Sequence, residues 1–199
     1  RGGLITYHGP GQLVVYPILN LQCKKLLGSG IKWYVGALEQ TGIDVCRAFG
    51  LNARAGSDEE IGVWLDPFKK VMAIGIHRTA SITYHGFALN YSNEPLSWLR
   101  KVVPCGLTER DVTSLSEACG REVTLSEVLP RVVNALQANL FGVHGGHATD
   151  LRTICRTDLS FDWTSSPPKP FIPFNQTPSS LSWNEFVEVV LDSVRPPVC

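Results

Sequence analysis

Residues 61–90, IGVWLDPFKKVMAIGIHRTASITYHGFALN, constrain the fold more than any other part of the chain. They contain three apolar, β-branched runs, over 61–65, 71–77 and 81–90, and each reads as a strand. The DPFK tetrapeptide between the first two is a turn signal that suits a hairpin. An apolar run over 13–19 adds a buried strand, and it follows a segment rich in glycine, RGGLITYHGPG. Glycine there lets backbone approach another group closely. Helical signals lie between and after the strands. Over 30–49 the apolar residues Ile31, Tyr34, Val35, Leu38 and Val45 form one amphipathic face. PLSWLRKVV is a short helix opened by Pro95 in its first turn. Thr124 and Glu127 have capping-box spacing and open a helix reaching about Leu140. LNARAGSDEE, over 51–60, reads as a loop.

Past residue 141 the character changes. FGVHGGHATDLRT and TSSPPKPFIPFNQTPSS are rich in Gly, Pro, Ser and Thr, with little periodicity. A second capping box, Ser182 with Glu185, introduces WNEFVEVVLDSV, predicted as a terminal helix. The expected division is a compact domain over 1–141 and an appendix over 142–199. The chain opens on Arg1 without a basic-apolar leader, so its start reads as that of a fragment, a processed chain or an unusual isoform.

Composition narrows the functional classes. The 199 residues are 44% hydrophobic, enough for a core. Eighteen acids balance eighteen bases, which argues against a nucleic-acid binder, since such proteins displace counterions with a basic surface. No stretch approaches the roughly 18–20 apolar residues of a membrane span. The six cysteines, Cys23, Cys46, Cys105, Cys119, Cys155 and Cys199, are scattered without a CxxC pair, so free thiols in a reducing compartment are expected.

Among them Cys105 has a distinct setting. It sits between Pro104 and Gly106, at a turn after an apolar segment, where a side chain is presented at the rim of a sheet. A reactive thiol needs a positive neighbour, because its free pKa of about 8.5 leaves little thiolate at neutral pH. Lys70, just ahead of a strand, is the candidate, with Lys69 in the turn. Strand alternation sends those two lysines to opposite faces, so at most one readily reaches a common pocket. His8 and His85 each occupy a TYHG tetrapeptide, where a histidine either bonds the loop backbone or orients a substrate. His144 and His147 lack further ligands nearby in sequence, so no metal site and no cofactor is expected. Asn175 fits a glycosylation sequon that a reducing compartment makes irrelevant.

Four stretches in this order, RGGLITYHGPGQLVVYPIL, GVWLDPFKKVMAIGI, SITYHGFALN and VVPCG, resemble the lipoyl(octanoyl) transferase family, as does the later VTSL. The resemblance covers roughly residues 1–140. It implies an α/β (α+β) fold of the biotin/lipoate ligase type, a mixed sheet flanked by helices, here lacking the portion that normally precedes RGG. It implies transfer of an octanoyl group from acyl carrier protein to a lysine on lipoyl-accepting domains, those of 2-oxoacid dehydrogenases and of the glycine cleavage H protein. By motif, Cys105 carries the acyl group as a thioester and Lys70 is its partner. Arg1, Gly2, Gly3, Leu4, Ile5, Thr6, Tyr7 and His8, with Ala73, Ile74, Gly75, Gly86, Phe87 and Ala88, line the acyl site.

Burying the roughly seven carbons beyond the carbonyl contributes about 5–6 kcal/mol, at ~0.8 per methylene. A nearby ammonium favours thiolate, thioester exchange needs no ATP, and aminolysis to an amide drives the transfer forward. The family's role implies the mitochondrial matrix, or the cytoplasm of a bacterium. Two rival readings stay open: an ATP-dependent lipoate or biotinyl ligase of the same fold, which has no need of the PCG cysteine, and a truncated, inactive chain that only binds acyl carrier or lipoyl domain.

Overall fold

The computed structural model describes residues 6–22, 30–57, 60–102 and 111–142, with the backbone of 152–156 and 187–192. In chain order the elements are β1 (Gln12–Ile18), α1 (Ile31–Ala48), β2 (Arg54–Ala55), β3 (Gly62–Trp64), β4 (Lys69–Thr79) and β5 (Ile82–Asn90). Then follow α2 (Leu96–Val102), β6 (Asp111–Val112), α3 (Leu115–Cys119), α4 (Leu125–Phe141), β7 (Arg152–Arg156) and β8 (Val187–Asp192).

The strands form one mixed sheet in the order β2-β3-β4-β5-β1-β8-β7, with β6 beside β4. The predicted hairpin is present, and β4 is antiparallel to both β3 and β5. Asp66 closes the β3–β4 turn, its Oδ1 accepting from the Phe68 and Lys69 amides, each at 2.7 Å. β4 therefore starts earlier than the apolar run predicts, and Lys69 and Lys70 both lie inside it. β6 runs parallel to β4, pairing Asp111 with Lys69 and Val112 with Lys70.

One face of the sheet packs on α1, and α4 packs on α1 to complete the same core. Cross-strand register puts Leu13, Leu89 and Met72 in one row and Val15, Phe87 and Ile74 in the next, all buried in the core but Ile74, which is partly buried against it. α1 answers with Tyr34, Leu38, Thr41 and Val45, the three-and-four spacing of a single helical face, and with Cys46 beside them. α4 supplies Val128, Leu129, Val132, Leu136 and Leu140. Its capping box is formed as the sequence predicts, with the Thr124 amide donating to Glu127 Oε2 at 3.0 Å. Among the described residues no helix is long and apolar enough to cross a membrane.

Three differences from the sequence reading have physical causes. The predicted terminal helix is the strand β8 over Val187–Asp192, which pairs parallel with β1 and antiparallel with β7. Its VEVVLD sequence is rich in β-branched residues, which favour an extended backbone, and a sheet edge is there to receive it. The 51–60 loop contains the two-residue strand β2, paired with β3. Lastly, the short helix α3 arises because the Ser114 hydroxyl caps it, accepting from the Glu117 amide at 3.0 Å.

Candidate functional site

Lys70 is half-buried near the start of β4, and its surroundings are specific. Its Nζ donates to the Ile61 carbonyl oxygen at 3.1 Å and lies 4.6 Å from the centre of the Trp64 ring, a cation–π contact. The ring is itself held by a hydrogen bond from Trp64 Nε1 to the Glu60 carbonyl, 3.0 Å. Between these anchors the lysine stem crosses Gly62. A Cβ at that position would sit 3.4 Å from Lys70 Cε and 2.6 Å from the Met72 carbonyl oxygen. Gly62 also has φ +137°, a conformation that side chains rarely adopt. Lys69, in contrast, is exposed and lines a depression with Asp66, Thr113 and Glu117. The two lysines therefore enter different surroundings, as strand alternation predicts.

The face of the sheet turned away from the helix core carries small side chains. Ala73 pairs with Ala88 and Gly75 with Gly86, while Ala88 also pairs with Val14 of β1. No side chain in that two-by-two patch exceeds a methyl group, so the strand that carries Lys70 borders a low floor, exposed at Ala73 and buried at Gly86 and Ala88. Glycine is required at Gly86, where a Cβ would come within 2.2 Å of the Val15 carbonyl oxygen. Ile74 and Phe87 alternate to the opposite face, Phe87 in the core and Ile74 partly buried against it. Of the six strand residues expected at the acyl site, four share the face turned away from the helices and two do not.

A buried polar chain closes one end of this floor. His8 Nδ1 lies 2.7 Å from Gln12 Oε1, Gln12 Nε2 donates to Asn90 Oδ1 at 2.8 Å, and Asn90 Nδ2 donates to the Thr113 carbonyl at 3.0 Å. The Thr113 amide then donates to the Lys70 carbonyl at 2.9 Å. Gln12 and Asn90 are each only 4% exposed, so leaving either amide without partners would cost on the order of 1–3 kcal/mol. The chain ties His8 to the backbone of Lys70 across three strands. His85 has a different setting: it takes a left-handed φ of +59° and meets the Tyr16 ring edge-on, 5.4 Å between centroids.

The remaining predicted residues flank this floor or lie outside the described residues. Thr6 is exposed, and Tyr7 stacks on Trp98 of α2 with ring centroids 6.0 Å apart. Residues Arg1, Gly2, Gly3, Leu4 and Ile5 lie outside the described residues, as do Cys105, His144, His147 and Asn175. Both ends of the segment bearing Cys105 are nevertheless fastened. Arg100 of α2 donates to the two Asp111 carboxylate oxygens at 2.8 and 3.0 Å and to the Val112 carbonyl at 3.2 Å. The Arg100 hydrogen bond holds the Asp111 carboxyl below its usual range. The pair is exposed, so it contributes about 1 kcal/mol or less to stability and acts mainly on geometry.

Among the described cysteines, Cys46 and Cys119 are free thiols. Burial pushes the Cys46 thiol up to about 12, leaving it a core residue without thiolate character. Among the described residues no group of three His, Cys, Asp or Glu side chains is placed to hold a metal. Sequence reasoning missed Trp64, Gln12, Asn90 and Thr113. The signal for Gln12 and Asn90 was an amide at an end of two strands that otherwise read as apolar.

Fold and site together define an α+β domain whose sheet carries a low floor of small residues beside a fixed lysine. The chain belongs to the lipoyl protein ligase A/B catalytic domain family, which matches it over residues 1–137. It is 49% identical over 135 residues to a mitochondrial octanoyl-acyl-carrier-protein:protein N-octanoyltransferase of Danio rerio, covering 68% of this chain and 57% of that protein. The Homo sapiens protein of the same name is 46% identical over 131 residues, 65% of this chain and 54% of that one. An octanoyltransferase of Acidothermus cellulolyticus is 46% identical over 140 residues, 68% and 61% respectively. The chain thus spans little more than half the length of these curated relatives. Similar solved structures include a mutant biotin protein ligase from Aquifex aeolicus in complex with biotin, with TM-score 0.48, 18% identity and coverage of 66% of this chain and 50% of that one. A lipoate-protein ligase A bound with ATP has TM-score 0.46 and 18% identity, over 55% and 46%.

Proposed function

We propose that this chain transfers an octanoyl group from acyl carrier protein to a lysine of lipoyl-accepting domains. The observation that carries the reading is the 49% identity, over two thirds of the chain, to a protein named for that transfer. The site is chemically suited to it. A floor of methyls and bare backbone accommodates an alkyl chain, and burial of that chain supplies the binding energy. In the proposed reaction the Cys105 thiolate attacks the carrier thioester carbonyl, the carrier thiolate leaves, and the acyl group rests on Cys105. The acceptor amine then attacks this thioester, the Cys105 thiolate leaves, and an amide forms. No phosphoanhydride is consumed.

Lys70 serves this scheme in two ways. As an ammonium it favours the thiolate form of Cys105, and as a neutral amine it accepts the proton released by the acceptor lysine. Its position, set by Ile61, Gly62 and Trp64, supports a fixed rather than a freely solvated role. The acceptors implied are the lipoyl domains of 2-oxoacid dehydrogenases and the glycine cleavage H protein. The mitochondrial matrix is the compartment this reading implies, since animal relatives carry mitochondrial names. The test is octanoylation of an isolated lipoyl domain by octanoyl-acyl carrier protein with ATP omitted. Transfer under those conditions is expected. Transfer that occurs only with free octanoate and ATP would assign the chain to the ligases instead.

A further inference from the structure

The polar chain that ends on Thr113 has a direction, and that direction fixes the chemistry of His8. A backbone carbonyl only accepts, so the Asn90 group 3.0 Å from the Thr113 oxygen is the amide nitrogen. Asn90 Oδ1 is thereby turned to Gln12, and the Gln12 group 2.8 Å from it is Nε2. Gln12 Oε1 then faces His8 at 2.7 Å and can only accept, so His8 Nδ1 carries the hydrogen. Turning either amide over would set two acceptors, or two donors, against each other in a buried place. The carbonyl at one end therefore determines the protonation site at the other.

We infer that Gln12 and Asn90 are positioning residues that hold neutral His8 as its Nδ1–H tautomer, with Nε2 the basic nitrogen. His8 Nε2 is buried, so the proton pattern is set inside the protein and not by bulk water. In this tautomer Nε2 accepts a hydrogen bond or a proton and donates none. When Nε2 takes a proton, the Gln12 oxygen still receives Nδ1–H, and the resulting imidazolium is stabilised without reorganisation. The importance of this for acyl transfer rests on the function proposed above; the tautomer itself does not.

The sequence offers Gln12 and Asn90 as strand-end amides 78 residues apart. Their register, Gln12 opposite Asn90 and one step along the same face from Val14 opposite Ala88, places the relay at the end of the small-residue floor. The same register makes Thr113, next to the residue that pairs with Lys70, the common anchor. The arrangement gives a physical reason for the VTSL stretch to lie beside the lysine.

The experiment is nitrogen NMR of the full chain labelled in histidine, at a pH high enough for the His8 ring to be neutral, with His8 assigned by a His8→Gln variant. The expected pattern is a protonated Nδ1 and an unprotonated Nε2. In Gln12→Leu the Nδ1–H loses its acceptor, and the single-tautomer pattern is lost. In Asn90→Leu the Gln12 amide is free to turn over, and the single-tautomer pattern is lost. Wild-type protein showing Nε2–H, or a fast average of both tautomers, would overturn the inference. So would an unchanged pattern in a folded Asn90→Leu variant. The wild-type measurement stands even if a variant fails to fold, and it reads the tautomer whether or not octanoyl transfer is observed.

Discussion

Replacing Gly62 by alanine tests how Lys70 is held, and the structure gives the size of the effect. The residue has φ +137°, so an alanine there is strained by about 1–3 kcal/mol before any contact is considered. The new methyl would also meet the Met72 carbonyl oxygen at 2.6 Å, and that oxygen belongs to β4, which has strands on both sides and yields little. Overpacking of this kind adds a similar cost, so a loss of at least about 2 kcal/mol is expected, or roughly 4–8 °C in melting temperature for a chain of this length. Gly36 provides the control. It lies exposed in α1 with nothing near its would-be Cβ, so alanine there should stabilise by about 0.5–1 kcal/mol. Thermal unfolding of the two variants should move in opposite directions. The methyl at Gly62 also displaces the Lys70 stem, now 3.4 Å away, so acylation should slow by more than the lost folded fraction explains. An unchanged melting temperature in Gly62→Ala, beside a raised one in Gly36→Ala, would refute both the strain and the packing derived for β3 and β4.

Three further predictions concern the floor, a thiol and a cap. Ala73→Val should shift preference toward shorter acyl groups, by about fourfold in relative rate for each methylene displaced, as read by competition between carriers loaded with different chains. Cys46 should resist alkylation at neutral pH in folded protein and react after denaturation, as mapped by peptide mass, because burial holds its thiol near 12. The Glu127 carboxyl is held at about 2, against an ordinary 4.5, first by Arg121 and then by the Thr124 amide. Its folded value is depressed, so its contribution is present above the ordinary value and is lost as pH falls toward 2. Wild-type protein and Glu127→Gln should therefore differ in melting temperature at neutral pH and converge on acidification.

The parts of this molecule that could be read from sequence are those specified by neighbours in the chain. The β3–β4 hairpin follows from alternation and the Asp66 turn, α1 from its apolar spacing, and the start of α4 from Thr124 and Glu127. What escaped notice depends on partners far away. Gln12 meets Asn90, and the pair takes its direction from Thr113, none of which a local pattern encodes. Lys70 was legible as a candidate, but its setting over Gly62 and against Trp64 arises only from the pairing of β3 with β4. The terminal segment forms a strand where capping-box spacing predicts a helix, because VEVVLD is rich in β-branched residues and the edge of β1 that receives it is distant in sequence. Expectations for Ile74 and Phe87 shared one motif with those for Ala73 and Ala88, yet a period of two sends alternate residues to opposite faces.

Acyl transfer through Cys105 is tested most directly by intact mass after a brief exposure to octanoyl-acyl carrier protein. One octanoyl group should appear on the wild-type chain and map to Cys105. It should be absent from Cys105→Ser and strongly reduced in Lys70→Ala. An adduct that survives Cys105→Ser, or a wild-type chain that takes up no octanoyl group, would contradict the account.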